Sequence, residues 1–261
     1  MPRAELLDAV SAIAAEAGAR AMRSWRGEFD RWNKAGGSPV SEVDLAVDAF
    51  LRERLTALAP DAGWLSEETA DAPDRLAKRR VWVVDPIDGT RDFVRGRDGW
   101  CVSVALVEDG RATVGVLDAS ARRQVWRAGE GLGAWLGTER LRAGARTRLA
   151  GARIPAVALP KADQLFSTVT QPNSIALRIA MVAADEADLV ATLRWGHEWD
   201  IAAAALIASE AGARVTDAFG LPLQFNKPSP QAFGVLASAS TLHRAAVVHL
   251  AERAERLSSV A

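Results

Sequence analysis

The sequence contains no tyrosine, a single cysteine and only three histidines among its 261 residues. The lone Cys101 excludes an internal disulfide and suits a reducing compartment such as the cytoplasm. It begins an apolar run and reads as an inert core thiol. His197, His243 and His249 lack the spacing of a zinc site, and His243 and His249 read as helix-surface residues. Charge of neither sign dominates: 32 Lys and Arg stand against 33 Asp and Glu, a net charge of −1. That balance argues against a nucleic acid polymer as obligatory partner, because binding a phosphate backbone needs a basic surplus. A small phosphorylated metabolite needs only a local site. Long apolar runs are missing too. The longest, Ile201–Ala208, has eight residues, whereas a bilayer span takes about 20. The first twenty residues carry acids within their apolar pattern and lack the continuous stretch of a secretory signal. The expectation is a soluble, cytoplasmic protein with no membrane partner. No Gly-x4-Gly-Lys-Ser/Thr loop occurs, which argues against a nucleoside-triphosphate hydrolase.

The proportions present are those of a globular chain, 49% hydrophobic and 25% charged. Helical spacing of Leu6, Leu7, Val10, Ile13, Ala14 and Ala17 predicts a helix from Ala4 to about Trp25. A turn-rich stretch, Lys34–Pro39, follows. Ser41 with Asp44 three residues on looks like the start of a helix reaching Leu58. Val81–Val84 is a short buried-strand pattern. Cys101–Val107 and Ala112–Leu117, joined through Asp109-Gly110, form a hairpin pattern that Gln124–Arg127 extends. The chain then divides into an N-terminal α+β half, 1–140, and a C-terminal half, 141–261. In the second half Ala152–Leu159, Asp188–Thr192 and Phe233–Ser238 read as strands. Ser174–Ala184, Asp200–Ala211 and Ser240–Leu257 read as helices. Helices and strands in blocks around an antiparallel meander favour a layered α+β architecture.

The chemistry concentrates in Val81-Trp-Val-Val-Asp85-Pro-Ile-Asp88-Gly-Thr90. A buried strand ends in a carboxylate, Pro86 is expected to force the chain out of the sheet, and a second carboxylate follows. Gly89 and Thr90 open a helix. Acids at a strand end can hold hard divalent cations, and backbone N–H groups at a helix start can hold phosphate. Alone, the same residues also describe a turn with a helix cap. Glu67-Glu68 alone fits solvated surface, and Asp200 alone fits an N-cap.

Taken in order, Ser66-Glu67-Glu68, Asp85-Pro-Ile-Asp88-Gly-Thr90 and Trp199-Asp200-Ile-Ala-Ala with Glu210-Ala-Gly212 resemble the signatures of the inositol monophosphatase superfamily of magnesium-dependent, lithium-sensitive phosphomonoesterases. An upstream element of Lys34, Ser38-Pro39-Val40-Ser41 and Asp44 fits as well. The resemblance implies a layered αβαβα sandwich of the inositol monophosphatase and sugar phosphatase type, and a homodimer. It implies that Glu67, Asp85 and the Ile87 carbonyl hold one Mg2+ ion. Asp85, Asp88 and Asp200 would hold a second, and a looser third would share Glu67. Thr90, oriented by Asp44, and Glu67 would position and deprotonate the attacking water. The amides of Gly89 and Thr90 would hold phosphate oxygens.

Inositol-type members usually read Asp-Gly-Thr-Thr-Asn-Phe, where this chain has Asp88-Gly-Thr-Arg91-Asp92-Phe93. That pattern, with Ser66 and Glu198, resembles the bacterial 3'(2'),5'-bisphosphate nucleotidases, which act on adenosine bisphosphate. Inositol enzymes carry an acid seven residues before the metal-binding Asp of the Trp-Asp motif. Here that position is Leu193, beside Arg194, whose guanidinium can fork onto a second phosphate. Arg91, Arg194 and Ser174 are the candidate substrate contacts, and Asn173 replaces a small glycine of the substrate loop. Inositol-1-monophosphatase and histidinol-phosphate phosphatase are the alternatives within the same chemistry. A non-catalytic metal- or nucleotide-binding regulator is the alternative outside it. Most of the nine Trp read as core, including Trp100 and Trp195, though either could stack on a nucleobase.

Overall fold

A computed structural model describes residues 1–33 and 39–259. Lys34 and Ser38 of the upstream element lie outside the described residues. The first layer is two helices, α1 (Arg3–Ser24) and α2 (Glu42–Leu58). Between them β1 (Arg31–Asn33) and β2 (Pro39–Ser41) pair antiparallel. Leu7, Val10, Ile13, Ala14, Ala17 and Ala21 of α1 are buried, the stripe that helical spacing dictates. Ser41 caps α2 and shares a capping box with Asp44.

The second layer is a seven-stranded sheet in sequential order: β3 (Gly63–Ser66), β4 (Arg80–Asp88), β5 (Cys101–Glu108), β6 (Arg111–Ala119), β7 (Gln124–Gly129), β8 (Gly133–Leu136) and β9 (Glu139–Arg140). The short α3 (Thr90–Val94) follows β4. The β5–β6 turn places Asp109 at φ 48° and Gly110 at φ 80°, the left-handed pair that a two-residue hairpin needs. Alternate residues serve opposite faces. Trp82, Val84, Val102, Val104 and Leu106 meet α1 and α2. Val81, Val83, Cys101, Ala105 and Val107 meet the helices beyond.

Those helices are α4 (Ile175–Ala183) and α5 (Glu198–Glu210). They are sandwiched against a second sheet of β12 (Leu189–His197), β14 (Gln231–Ala239) and β13 (Ala213–Thr216). A parallel pair, β10 (Arg153–Pro155) and β11 (Ser167–Val169), lies before α4 in the chain. The run Ile201–Ala208 is buried throughout, as a helix held between two sheets must be. Its alanines allow close approach: a Cβ at Gly115 would stand 2.7 Å from the Ala203 carbonyl oxygen. The last layer, α6 (His243–Ser258), packs Leu250 and Ala246 against Leu189 and Leu236. The five layers make an αβαβα sandwich of the α+β class. The core joining the first sheet to α4 and α5 runs across the 140/141 division. Among the described residues, no helix is long and apolar enough to cross a membrane.

Several expectations need correction. Pro86 does not eject the chain from the sheet: β4 continues to Asp88 through a register shift between Asp85 and Asp88. The strand expected over 152–159 shrinks to Arg153–Pro155, the three residues that pair with β11. The one expected over 188–192 extends to His197 through another shift, between Thr192 and Trp195. His243 is not on the surface. It is 3% exposed, and its ring nitrogens meet the Thr216 and Ser238 hydroxyls, each at 3.0 Å. His249 is half-buried beside Asp163 at 2.9 Å. Trp100 is fully buried, edge-on to Phe93, so it has no face to offer a ligand. Trp195, by contrast, is 47% exposed and does not belong to the core. Trp32 is also exposed.

Candidate active site

The bulge in β4 builds the site. In a regular strand, residues three apart face opposite sides. Here Asp85 pairs with Ser103 and Asp88 with Cys101, so three residues of β4 advance against two of β5. The extra residue restores parity, and both carboxylates face the α4–α5 side. Asp85 Oδ1 accepts the Ile87 N–H at 2.9 Å. Asp88 Oδ2 accepts the Ala176 N–H at 2.8 Å and the Ser174 hydroxyl. Ser174 is fully buried, and its Oγ also accepts the Leu177 N–H as cap of α4. It therefore orients Asp88 and does not reach the cleft as a substrate contact.

Glu67 follows β3, whose parallel pairing with β4 carries it to the same sheet end. Asp200 is the third residue of α5, with its Oδ2 accepting the His197 N–H at 3.1 Å. Glu67, Asp85 and Asp200 each offer an oxygen within 4.8 Å of the others'. Asp88 lines the same cleft, which has a volume of about 340 Å³. The acids repel one another in a desolvated place. Burial, then Glu67, Asp88 and Asp200, push Asp85 well above the usual carboxylate range. Burial, then Asp88 and Glu67, push Asp200 up to about 8. Asp88 is raised to about 6, again by burial first, against the hydrogen bonds of Ser174 and Ala176. An all-oxygen donor set of four clustered carboxylates fits a hard divalent cation.

Gly89 turns the chain into α3 at φ 97°. A Cβ there would stand 2.7 Å from the Gly99 carbonyl oxygen and 2.9 Å from the Ser174 nitrogen, so glycine is required twice over. The Thr90 hydroxyl lies 3.0 Å from the Ile87 carbonyl oxygen and 3.3 Å from Asp44 Oδ1. Its single proton has two acceptors. Asp44 is buried, and its other oxygen takes the Ser41 N–H at 2.8 Å. Burial raises the Asp44 carboxyl above its ordinary value, more than Ser41 lowers it.

Arg91, Arg194, Trp195, His197 and Asn173 line the rest of the cleft. The β12 bulge spans Leu193 and Arg194 opposite Gly234, where a Cβ would stand 2.2 Å from the Thr192 carbonyl oxygen. Asp92, next to exposed Arg91, turns inward and accepts the Asn173 N–H at 3.0 Å. Sequence reading missed Asp48, which holds the Ser66–Thr69 segment. Its position one helical turn after Asp44 was the available signal. It also missed His197, whose ring stacks on Trp199 at 4.4 Å. Glu198 was read as part of a motif. It is buried and accepts the Asn226 N–H at 2.6 Å, tying α5 to the segment before β14.

The inositol monophosphatase family model matches residues 3–256. The 3'(2'),5'-bisphosphate nucleotidase CysQ of Escherichia coli (strain K12) is 32% identical over 235 residues, covering 84% of this chain and 94% of that protein. A fructose-1,6-bisphosphatase/inositol-1-monophosphatase of Thermotoga maritima is 32% identical over 210 residues, 76% of this chain and 79% of that one. The solved structure of a Thermotoga maritima IMPase superposes with a TM-score of 0.83 at 28% identity, covering 97% of this chain and 99% of that chain. With its acidic cluster and with these relatives, the protein is a phosphoric monoester hydrolase, and the chain belongs to the inositol monophosphatase family.

Proposed function

We propose that the protein is a Mg2+-dependent 3'(2'),5'-bisphosphate nucleotidase acting on adenosine bisphosphate. The observation that carries the reading is one cleft lined both by the carboxylates Glu67, Asp85, Asp88 and Asp200 and by Arg91, Arg194 and Trp195. Glu67, Asp85, Asp88, Asp200 and the Ile87 carbonyl are the residues that would hold two or three magnesium ions. Bound there, magnesium would offset the charge of the acids against the phosphate and would supply an activated water.

The chain's own groups do the rest. The Asp44 carboxylate accepts a hydrogen bond from the Thr90 hydroxyl, which leaves a Thr90 lone pair to orient the attacking water. Glu67 receives that water's proton. The Gly89 and Thr90 amides hold phosphate oxygens, as backbone N–H groups at a helix start do. Asp200 serves the leaving alkoxide. Arg194 and Arg91 hold the second phosphate in charge-assisted hydrogen bonds, and the exposed face of Trp195 stacks on the base.

A panel of adenosine 3',5'-bisphosphate, myo-inositol 1-phosphate and histidinol phosphate, assayed with magnesium, tests this. Preference for the bisphosphate by kcat/KM is the expected result. Preference for either other ester would overturn the substrate assignment and keep the enzyme class. The same family reading carries a cytoplasmic, lithium-sensitive homodimer, checked by lithium titration and sedimentation.

A further inference from the structure

A second, larger cavity of about 670 Å³ adjoins the catalytic cleft, with Asn173 in the wall of both. Its volume lies in the range of small-molecule sites. It opens where the end of α1, the segment after α3 and residues 170–173 meet. Five guanidinium groups line it, from Arg26, Arg95, Arg97, Arg122 and Arg178, against the two carboxylates of Asp92 and Asp98.

Three of the five are held in place by main-chain oxygens. Arg26 Nε donates to the Gly96 carbonyl at 3.0 Å, and its guanidinium lies over the Trp25 ring at 4.1 Å. Arg122 Nε donates to the Asp98 carbonyl at 2.8 Å. Arg178 Nε and Nη2 donate to the Pro172 and Asn173 carbonyls at 2.7 and 2.9 Å. Neutral carbonyls fix orientation and leave the positive charge standing. The two carboxylates offset part of it. Asp92 accepts the Asn173 N–H and stands 3.9 Å from Arg97. Asp98 stands 3.6 Å from Arg122, beyond a normal hydrogen bond. Burial lowers the pKa of Arg178, more than the charges of Asp88 and Asp92 raise it.

Guanidinium groups oriented beforehand and outnumbering the carboxylates around them, five to two, are what a tetrahedral oxyanion binds at small entropic cost. We propose that this cavity binds a phosphate or sulfate group, free or as the terminal group of a small ester, at a site separate from the catalytic cleft. This inference does not rest on the substrate proposed above.

The test uses the full chain in excess EDTA. Without metal, the acids of the catalytic cleft repel anions, and calorimetric titration with inorganic phosphate or sulfate on Arg194→Leu beside the parent separates the arginine cavity from the cleft's own arginines. One site per chain is expected, weakening as ionic strength rises. A parallel titration with adenosine 3',5'-bisphosphate separates free ion from ester. Arg122→Ala and Arg95→Ala should each weaken binding about tenfold, the loss of one charged hydrogen-bonding group, while Asp88→Asn, which removes a negative charge near Arg178, should not weaken it. Arg95 is exposed, so its variant is expected to fold, with an unchanged thermal midpoint as the check.

Absence of heat with both ions up to about 10 mM, an affinity weaker than the threshold of specific binding, overturns the proposal. So does equal affinity in the two arginine variants, or an equal loss in Asp88→Asn. Loss of a dimer in the arginine variants, with anion affinity intact, assigns the cavity to a second copy of the chain and overturns it as well.

Discussion

Asp48 Oδ2 accepts the Thr69 hydroxyl at 2.6 Å while its Oδ1 accepts that of Ser66. One buried carboxylate on α2 thus grips the chain on both sides of Glu67 and Glu68. The Glu67 N–H is itself tied to the Val84 carbonyl at 3.2 Å, so the segment is fixed to α2 and to β4 together. Asp48→Ala should free it, with metal affinity and activity falling about 10–100-fold, the range for groups that orient metal ligands. Asp48→Asn, which can still bond both hydroxyls, should recover most of the loss. Manganese titration followed by electron paramagnetic resonance reads the affinity without turnover. Equal affinities in parent and Asp48→Ala would show that the grip serves folding alone.

Asp88 and Ser174 call for a graded comparison. Asp88→Asn removes a charged oxygen from the cleft and should abolish activity in a folded protein. Ser174→Ala removes only one of two groups holding Asp88, the Ala176 N–H remaining. Its activity should fall about tenfold, as for other orienting partners. Steady-state kinetics with circular dichroism on each variant checks this. Activity retained in Asp88→Asn would contradict the ligand assignment.

The layers were legible because burial writes its period into sequence. The α1 stripe, the Ser41–Asp44 capping box and the Asp109-Gly110 hairpin are local signals, and each formed as read. The bulges at Pro86-Ile87 and Leu193-Arg194 were not legible. A bulge depends on what the partner strand offers, and the partner's Gly234 lies forty residues from Arg194. The order of the acidic motifs pointed to one site. Only the structure turns Ser174 and Asp92 inward and Trp195 outward: Ser174 bonds the distant Asp88 carboxylate, Asp92 accepts the distant Asn173 N–H, and Trp195 is left exposed on β12.

Arg194 and Trp195 carry the substrate prediction. Arg194→Leu should lower kcat/KM for adenosine 3',5'-bisphosphate about 10–100-fold, the worth of a hydrogen bond to a charged group. It should leave myo-inositol 1-phosphate, which has no second phosphate, nearly unchanged. Trp195→Ala should cost about 1–3 kcal/mol on the nucleotide if a base stacks there. A uniform loss across both esters in either variant would remove that residue from selectivity.

Two buried groups outside the cleft give opposite pH signatures. Burial, with a smaller push from Arg214, lowers His243 from 6.5 to about 4. The unfolded ring takes up a proton near pH 6.5 while the folded ring stays neutral to about pH 4. Acidification across that window therefore favours unfolding. Burial raises Asp118 from 3.8 to about 6, against the bonds from Ser120. Its folded carboxyl holds a proton where the unfolded one has lost it, so its contribution is complete below about pH 3.8 and lost as pH rises through 6. His243→Gln should be less stable than the parent at pH 7, with a flatter decline between pH 6.5 and 4. Asp118→Asn should be more stable above pH 6, and its advantage should close as pH approaches 4. Urea denaturation at intervals from pH 4 to pH 8 measures both slopes. Curves parallel to the parent's would place the acid sensitivity of this fold elsewhere.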